Sequence, residues 1–416
     1  MTVGPRLLAI MGSGETSPTM TKTHRELLAR VGSPAVLLDT PFGFQANADE
    51  LVGKVVEYFR VSVGASIELA SWRSSAAADA VATETALARL RAARYVFAGP
   101  GSPSYALRHW TAGPVPALLA DKLAGGGCVN FASAAALTLG VATVPVYEIY
   151  KVGAEPTWLE GLDLLGGATG LRCAVIPHYD NAEGGTHDTR FCYLGEDRLA
   201  ALEEGLPEDV FVLGVDEHTA LVLDLDAWTA TVSGRGGATV RRGGSSEAFP
   251  AGAVVALDEL GRIEAGGGRP STTASAPSGA AYVTASDSPL LDQMRTLEAG
   301  FVDALGRRDV DAAVAAVLEL DTALVDWSRD SLQSDHLDQG RSVLRSMVLC
   351  LGEVARSGAR DPAEVVGPFV EAVLDARTRA RSGGDYAAAD ALRDQLVAAG
   401  VELRDSPEGT DWRLLP

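Results

Sequence analysis

The chain has 416 residues, 47% of them hydrophobic, and a formal net charge of −20. That length accommodates two or three domains and a large core, while the acidic surface discourages non-specific binding to nucleic acid or anionic membrane. The four cysteines, Cys128, Cys173, Cys192 and Cys350, are scattered without a CxxC, which argues against a disulfide scaffold or structural zinc and fits a reducing cytoplasm.

The opening apolar run is too short for a signal peptide, and no later run is long enough to span a bilayer. A cytoplasmic protein with no membrane attachment is therefore expected. From Leu7 to about Val222, short apolar runs alternate with amphipathic segments. Residues 7–11, 35–40, 66–70, 95–99, 128–132, 173–177 and 210–215 predict buried strands, and 19–32, 48–59 and 82–93 predict helices. Such alternation predicts an α/β domain with a doubly wound, mostly parallel sheet. Shorter strand patterns over 220–225, 229–244 and 253–257 predict an antiparallel edge of the same domain. Residues 263–289 are rich in Gly, Ser, Pro, Ala and Thr, the composition of a flexible linker. Residues 290–416 predict a separate all-helical domain, with helices over 290–305, 310–327, 340–355, 366–380 and 386–400, then a short tail containing a turn. The organisation read from the sequence is thus 1–262, 263–289 and 290–416.

The stretch VNFASAAALTLG (129–140) runs from a strand pattern into a helix pattern with no turn residue between. Ser133 sits at the joint. In open parallel sheets active sites lie beyond the carboxyl ends of strands, and a sharp bend there would lift a serine oxygen clear of the sheet. The N–H groups at the helix start would face a developing oxyanion. A helix cap is the plainer role for the same serine.

The stretch VIPHYDNAEGGTHDTRF (175–191) places His178, Asp180, Asn181, Glu183, His187, Asp188 and Arg190 directly after another buried strand. A general base belongs in such a place, and His178, restrained by Pro177 before it, is the candidate. The cluster also offers N and O metal ligands, but its spacing matches no metal motif, so no metal is expected. In FAGPGSPSYALRHW (97–110) a strand ends in Gly99-Pro100-Gly101 and a helix begins near Ser102–Ser104, a place for close backbone approach and for a second oxyanion N–H. MGSGETS (11–17) has the same strand–glycine–helix form. Neither is a phosphate loop or dinucleotide fingerprint, and no cofactor is expected.

MGSGE, FAGPGSPSYAL, FASAAA, IPHYDNAEGGTHDTR and GVDEHTALVL (214–223) occur in that order. Over roughly residues 1–260 they resemble the strand-end motifs of the aspartyl dipeptidase (peptidase E) and cyanophycinase family, serine peptidases on a class I glutamine amidotransferase-like fold. The resemblance implies Ser133 as nucleophile, His178 as base, and Gly101 and Ala134 as oxyanion donors. The family's usual Gly-x-Ser-Ala-Gly reads Phe131-Ala132-Ser133-Ala134-Ala135 here, which predicts a bulkier bend. Two acids compete to complete a triad: Glu148, fifteen residues after Ser133, and Glu217, in the stretch typical of cyanophycinases. Asp180, Asn181 and Arg190 are candidate substrate contacts, with Arg190 suited to a substrate carboxylate. Class I amidotransferases use cysteine on this fold, but Cys128 lies five residues before Ser133, inside the strand, as a core residue would.

The segment 368–414, with its DYAAADALRDQL and GVELRDSPEGTDWRL blocks, resembles the C-terminal part of cysteinyl-tRNA synthetases, and the preceding helices resemble the bundle that follows their catalytic domain. That catalytic domain and its zinc cysteines have no counterpart, so tRNA charging is not expected. From Asp287 onward there are 24 acidic residues, 14 arginines and no lysine, which opposes a general phosphate grip. A local patch of Arg377, Arg379, Arg381 and Arg393 remains. Together these features predict a serine-type hydrolase acting on a small peptide or amide. The alternatives are a non-catalytic scaffold, or an enzyme whose tail presents a tRNA-linked substrate. A homodimer through the helical end or a sheet edge is compatible with either.

Overall fold

A computed structural model describes residues 4–76, 79–183, 187–262, 288–330, 336–358, 362–406 and 409–415. The predicted linker over 263–289 lies outside the described residues except at Ser288 and Pro289. Two compact units are present: Met1–Leu297 with Leu318–Arg341, and Glu298–Val317 with Ser342–Pro416.

The first unit holds fourteen of the described strands: β1 (Arg6–Met11), β2 (Ala35–Leu37), β3 (Ile67–Leu69), β4 (Tyr95–Ala98), β5 (Gly127–Ala132), β6 (Ala142–Thr143), β7 (Leu159–Glu160), β8 (Cys173–Ile176), β9 (Phe211–Val215), β10 (Thr219–Asp224), β11 (Thr229–Gly234), β12 (Gly237–Arg242), β13 (Ser245–Pro250) and β14 (Val254–Ala256). All seven predicted buried strands form, but they divide between two sheets. The first has the order β14-β11-β10-β1-β5-β4-β2-β3 and the second β13-β12-β9-β8-β6-β7. The cause is edge occupancy. β1 pairs in parallel with β5 on one side and antiparallel with β10 on the other, so neither β8 nor β9 can add to it. They pair with each other in parallel, Ile176 opposite Gly214. The predicted antiparallel edge is split in the same way, β11 joining β10 and β12 joining β9.

β5 is buried along its whole length between β1 and β4. A strand covered on both faces has no solvent side to alternate toward, which is why it reads as a continuous apolar run. Its one polar interior residue, Asn130, donates to the Tyr95 hydroxyl at 2.7 Å. Helices return the chain between parallel strands. Thr21–Val31, Ala48–Tyr58 and Ala80–Ala92 form where predicted. The Asp79 carboxylate accepts from Val81 and Ala82 N–H and so caps the third. No helix among the described residues is long and apolar enough to cross a membrane.

Five described helices follow Ser288: Pro289–Gly306, Val310–Trp327, His336–Gly358, Pro362–Ser382 and Tyr386–Ala398. The tail expected to hold only a turn forms a hairpin, β15 (Val401–Ser406) with β16 (Gly409–Leu414). Its alternating apolar side chains complete a small core in the second unit, where Val401 and Leu403 pack with Val370, Leu374 and Leu396. Beside that core the Arg377 side chain is buried and forms a two-pronged pair with Asp405, each N···O 2.7 Å. Arg393 reaches the same carboxylate at 2.8 Å. Two arginines of the predicted patch are therefore structural. Replacing Asp405 with alanine leaves the buried Arg377 guanidinium without its counter-charge, and should destabilise the full chain's C-terminal transition by roughly 1–3 kcal/mol, read by urea denaturation as the change in tryptophan fluorescence that is lost in a Trp412→Phe background.

Candidate active site

Three strand ends of the first unit converge. β5 ends at Ala132, and Ser133 turns sharply with φ 50°, a left-handed conformation uncommon outside glycine. A five-residue helix, Ser133–Leu137, follows at once. The bulky neighbour Phe131 does not crowd this bend. Its ring is buried and stacks on Trp110 at 5.3 Å between centroids, so its bulk fills the core. β8 delivers His178, again left-handed at φ 48°. Glu217 follows the neighbouring β9.

The Ser133 Oγ lies 3.0 Å from His178 Nε2, and His178 Nδ1 lies 2.6 Å from Glu217 Oε1. A carboxylate has no proton to give, so Nδ1–H donates to Glu217. Nε2 is then left to accept the serine proton. His178 is 5% exposed, a degree of burial that keeps competing water away. Burial pushes its imidazole pKa down, but the hydrogen bond and charge of Glu217, reinforced by Glu15 and Glu183, push harder, and the net shift is upward. For Glu217 burial raises the carboxyl pKa, yet His178 and Asn181 outweigh it and the net shift is downward. The pair thus holds a charged acid against a base that accepts a proton readily.

Of the two competing acids, Glu217 reaches His178. Glu148 instead accepts a short hydrogen bond from the Ser104 hydroxyl. Asp180 and Asn181, expected to face substrate, hold the acid. Asp180 accepts the Glu217 N–H at 2.7 Å, and Asn181 donates its amide to Glu217 Oε1 at 3.2 Å. Asn181 is fully buried, where a side-chain amide needs a partner, and the acid supplies it. Arg190, expected at a substrate carboxylate, pairs with Asp188 through two bonds of 2.9 and 2.7 Å. Among the described residues no cluster of three His, Cys, Asp or Glu is arranged to hold a metal. Both nitrogens of His178 are already engaged.

Two backbone segments meet beside Ser133. The Ala135 N–H donates to the Gly99 carbonyl at 3.2 Å, tying the serine helix to the Gly99–Gly101 turn. Gly101 has φ 137°, and a Cβ there would lie 2.0 Å from the Pro41 carbonyl oxygen, so only glycine fits. Ser102 then caps the helix Pro103–Thr111, its hydroxyl accepting from Tyr105 N–H. Among the described residues neither Gly101 N–H nor Ala134 N–H donates to a backbone carbonyl.

Three features of the site escape sequence reasoning. Glu15 is 1% exposed and its charge acts on His178. Phe191, Cys192 and Tyr193 are consecutively left-handed, at φ 59°, 57° and 66°. That shape aims two N–H groups back at the base, Cys192 onto the His178 carbonyl and Phe191 onto the Tyr179 carbonyl, each at 3.0 Å. It also sets the Tyr193 ring 6.3 Å from the His178 ring, with its hydroxyl donating to Glu183 at 2.6 Å. The only sequence signal for Glu15 is its place in a strand-end glycine motif. A left-handed run without glycine leaves none.

Residues 366–413 match the family described as the cysteinyl-tRNA ligase anticodon binding domain. The cysteine–tRNA ligase of Arthrobacter sp. (strain FB24) is 47% identical over 68 residues, which cover 16% of this chain and 14% of that ligase. The cysteine–tRNA ligase of Beutenbergia cavernae is 35% identical over 125 residues, covering 28% and 26%. The chain thus spans a minor part of the length of these curated relatives. Among solved structures, a peptidase from an acI-B1 Actinobacterium superposes with a TM-score of 0.50 at 19% identity, over 61% of this chain and 98% of that one. The chain therefore joins an α/β part with a peptidase fold to a C-terminal part that resembles the end of cysteinyl-tRNA ligases.

Proposed function

We propose that residues 1–262 form a serine hydrolase domain cleaving a small peptide or amide. The observation that carries this reading is the unbroken chain Ser133 Oγ, His178 Nε2, His178 Nδ1, Glu217 Oε1, with links of 3.0 and 2.6 Å. A helix cap has no need of a buried histidine backed by a partly buried acid; an activated nucleophile has need of both. In this mechanism His178 takes the Ser133 proton as Oγ attacks the carbonyl carbon. The tetrahedral oxyanion is held by the N–H groups of Gly101 and Ala134. His178 then gives the proton to the leaving amine, and a water repeats the sequence to free the acyl group. Glu217 stays ionised throughout, fixing the tautomer and stabilising the imidazolium.

A second reading concerns the C-terminal unit. The match over 366–413 favours a tRNA-linked substrate or partner. With Arg377 and Arg393 paired to Asp405, the exposed Arg379 and Arg381 are the phosphate contacts this reading retains. Bulk tRNA at moderate salt should retard the full chain in a gel, and Arg379→Ala combined with Arg381→Ala should abolish the shift. An unshifted parent band would dismiss this reading.

The hydrolase reading is tested with a pooled dipeptide library containing aspartyl, isoaspartyl and cysteinyl members, with products read by mass spectrometry. Ser133→Ala should lose about 10⁴-fold in kcat/KM on whichever member the parent cleaves. No cleavage difference between parent and variant would refute the serine mechanism. The pH profile supplies a separate check. His178 must be neutral to act as base, so kcat/KM should rise with pH through a midpoint above the ordinary imidazole value of about 6.5. Glu217→Gln removes the charge that holds the midpoint up, so burial should then carry it downward while the rate falls.

A further inference from the structure

The helix Val310–Trp327 lies beyond residue 288, yet its second half, from Leu318 on, falls in the first compact unit together with Asp330 past its end. Two side chains there touch the strand-end loops of the candidate site. The Trp327 ring, 7% exposed, meets the His218 ring edge-on, 5.8 Å between centroids. The Asp330 carboxylate accepts from the fully buried Thr16 hydroxyl at 3.1 Å. His218 is the residue after Glu217, and Thr16 is the residue after Glu15. Each contact therefore lands on the immediate neighbour of a carboxylate whose charge acts on His178.

His218 is a residue that needs holding. Its left-handed backbone, φ 52°, persists only where the surroundings impose it. Its ring packs against Gly14, bonds the Thr19 hydroxyl at 2.9 Å and meets Trp327. Its carbonyl accepts the Arg235 N–H at 3.0 Å, and the Arg235 guanidinium faces Asp292, on the helix Pro289–Gly306, at 3.8 Å. Burial carries the His218 pKa to about 4, so at neutral pH the ring is an uncharged wedge beside Glu217. Where this wedge sits decides how Glu217 leaves the sheet.

Resting on the hydrolase reading, we propose that Trp327 and Asp330 are positioning residues for the Ser133 site. Trp327 fixes Glu217 through His218, and Asp330 fixes Glu15 through Thr16. The α/β site is thus completed by chain from beyond residue 288.

The groups that act on His178 fix the direction of the expected effect. Glu217, Glu15 and Glu183 raise its pKa. Asp180 and His218 are within its electrostatic reach, and the Tyr193 ring lies beside it. Neither Trp327 nor Asp330 is among them, so both act at one remove. A loosened Glu217 or Glu15 raises the imidazole less, while the burial that lowers it stays. The His178 midpoint should therefore fall.

The test is a histidine-ring NMR titration of the full chain, with the His178 signal assigned by its loss in His178→Gln. Trp327→Ala and Asp330→Ala should each lower the His178 midpoint by about 0.5 pH unit or more, a part of what a neighbouring charge supplies. Trp327→Phe keeps a ring edge, and Asp330→Asn keeps the acceptor oxygen without the charge, so each should recover the parent midpoint. Val325→Ala, on an exposed position of the same helix, should change nothing. On a dipeptide that the parent cleaves, the two alanine variants should lose about 10- to 100-fold in kcat, with KM within about twofold. Thermal melting verifies that each variant is folded; Asp330 is partly exposed, so its variants decide the matter if Trp327→Ala does not fold. A parent midpoint in either folded alanine variant overturns that residue's role. An equal fall in Asp330→Asn and Asp330→Ala overturns the Thr16 link, since lost charge alone would then explain it. The titration needs no substrate, so its failure is distinct from failure of the hydrolase reading, which Ser133→Ala tests by cleavage.

Discussion

A left-handed backbone costs an ordinary residue about 1–2 kcal/mol, and besides Phe191, Cys192 and Tyr193 three residues around this site adopt one: Ser133, His178 and His218. Each lies just past the carboxyl end of a strand. The bend is what lets the site exist, because a chain leaving a strand in extended conformation would carry its side chains on past the sheet. Turned sharply, β5 presents Ser133, β8 presents His178, and the β9–β10 junction presents Glu217 next to His218. The surroundings impose each bend. His178 is clamped by N–H groups from Asn181 and Cys192 on its carbonyl. His218 is packed so tightly against the first glycine loop that a Cβ on Gly14 would lie 2.2 Å from its ring. Strain of this sort persists only where packing over-determines it, and it gathers at functional sites.

The buried histidines show how the environment sets one of them apart. His24 bonds the Tyr95 hydroxyl and the Glu15 carbonyl, both neutral, and burial carries its pKa to about 4. His218 bonds the Thr19 hydroxyl, and burial, barely offset by Glu217, carries it to about 4 as well. Only His178 faces a carboxylate directly, and only His178 is shifted upward. Burial is common to all three, so the direct charge partner decides the direction. Asp180 and Asn181 belong to the same logic. Fixing the backbone and one oxygen of Glu217 keeps the carboxylate aimed at Nδ1 rather than at solvent.

The sequence revealed most where one physical signal dominates. Both-side burial writes a strand as an unbroken apolar run, so β1, β4, β5, β8 and β9 were legible. Ser133 and His178 stood out because each interrupts such a run at its end. The division into two sheets was not legible, because edge occupancy depends on β10 folding back onto β1 from over two hundred residues away. Nor were the partners within polar clusters. Asp180, Asn181, Arg190 and Glu148 all lie in stretches that suggest chemistry, and residue type alone does not say whether a polar group faces a ligand or another side chain. The tail hairpin is hard to read from sequence for a related reason. Its alternation, Val401, Leu403, Trp412, Leu414, is short and interrupted by charges, and its partner surface lies on two helices.

The same distinction governs the C-terminal unit. The stretch that matches the ligase anticodon-binding domain contains Val370, Leu374, Leu396, Val401 and Leu403, which form the small core, and Arg377, Arg393 and Asp405, which form its buried ion cluster. These positions need no RNA to explain them, because their contacts join the helix pair to the hairpin. A guanidinium held by two bonds to a carboxylate is also a poor phosphate ligand, since the carboxylate must first be displaced and would then repel the incoming charge. The resemblance therefore speaks first to a fold, and it speaks to tRNA only through the arginines that the fold leaves outside, Arg379 and Arg381. On a chain of net charge −20, two such residues do not create an electrostatic attraction at distance.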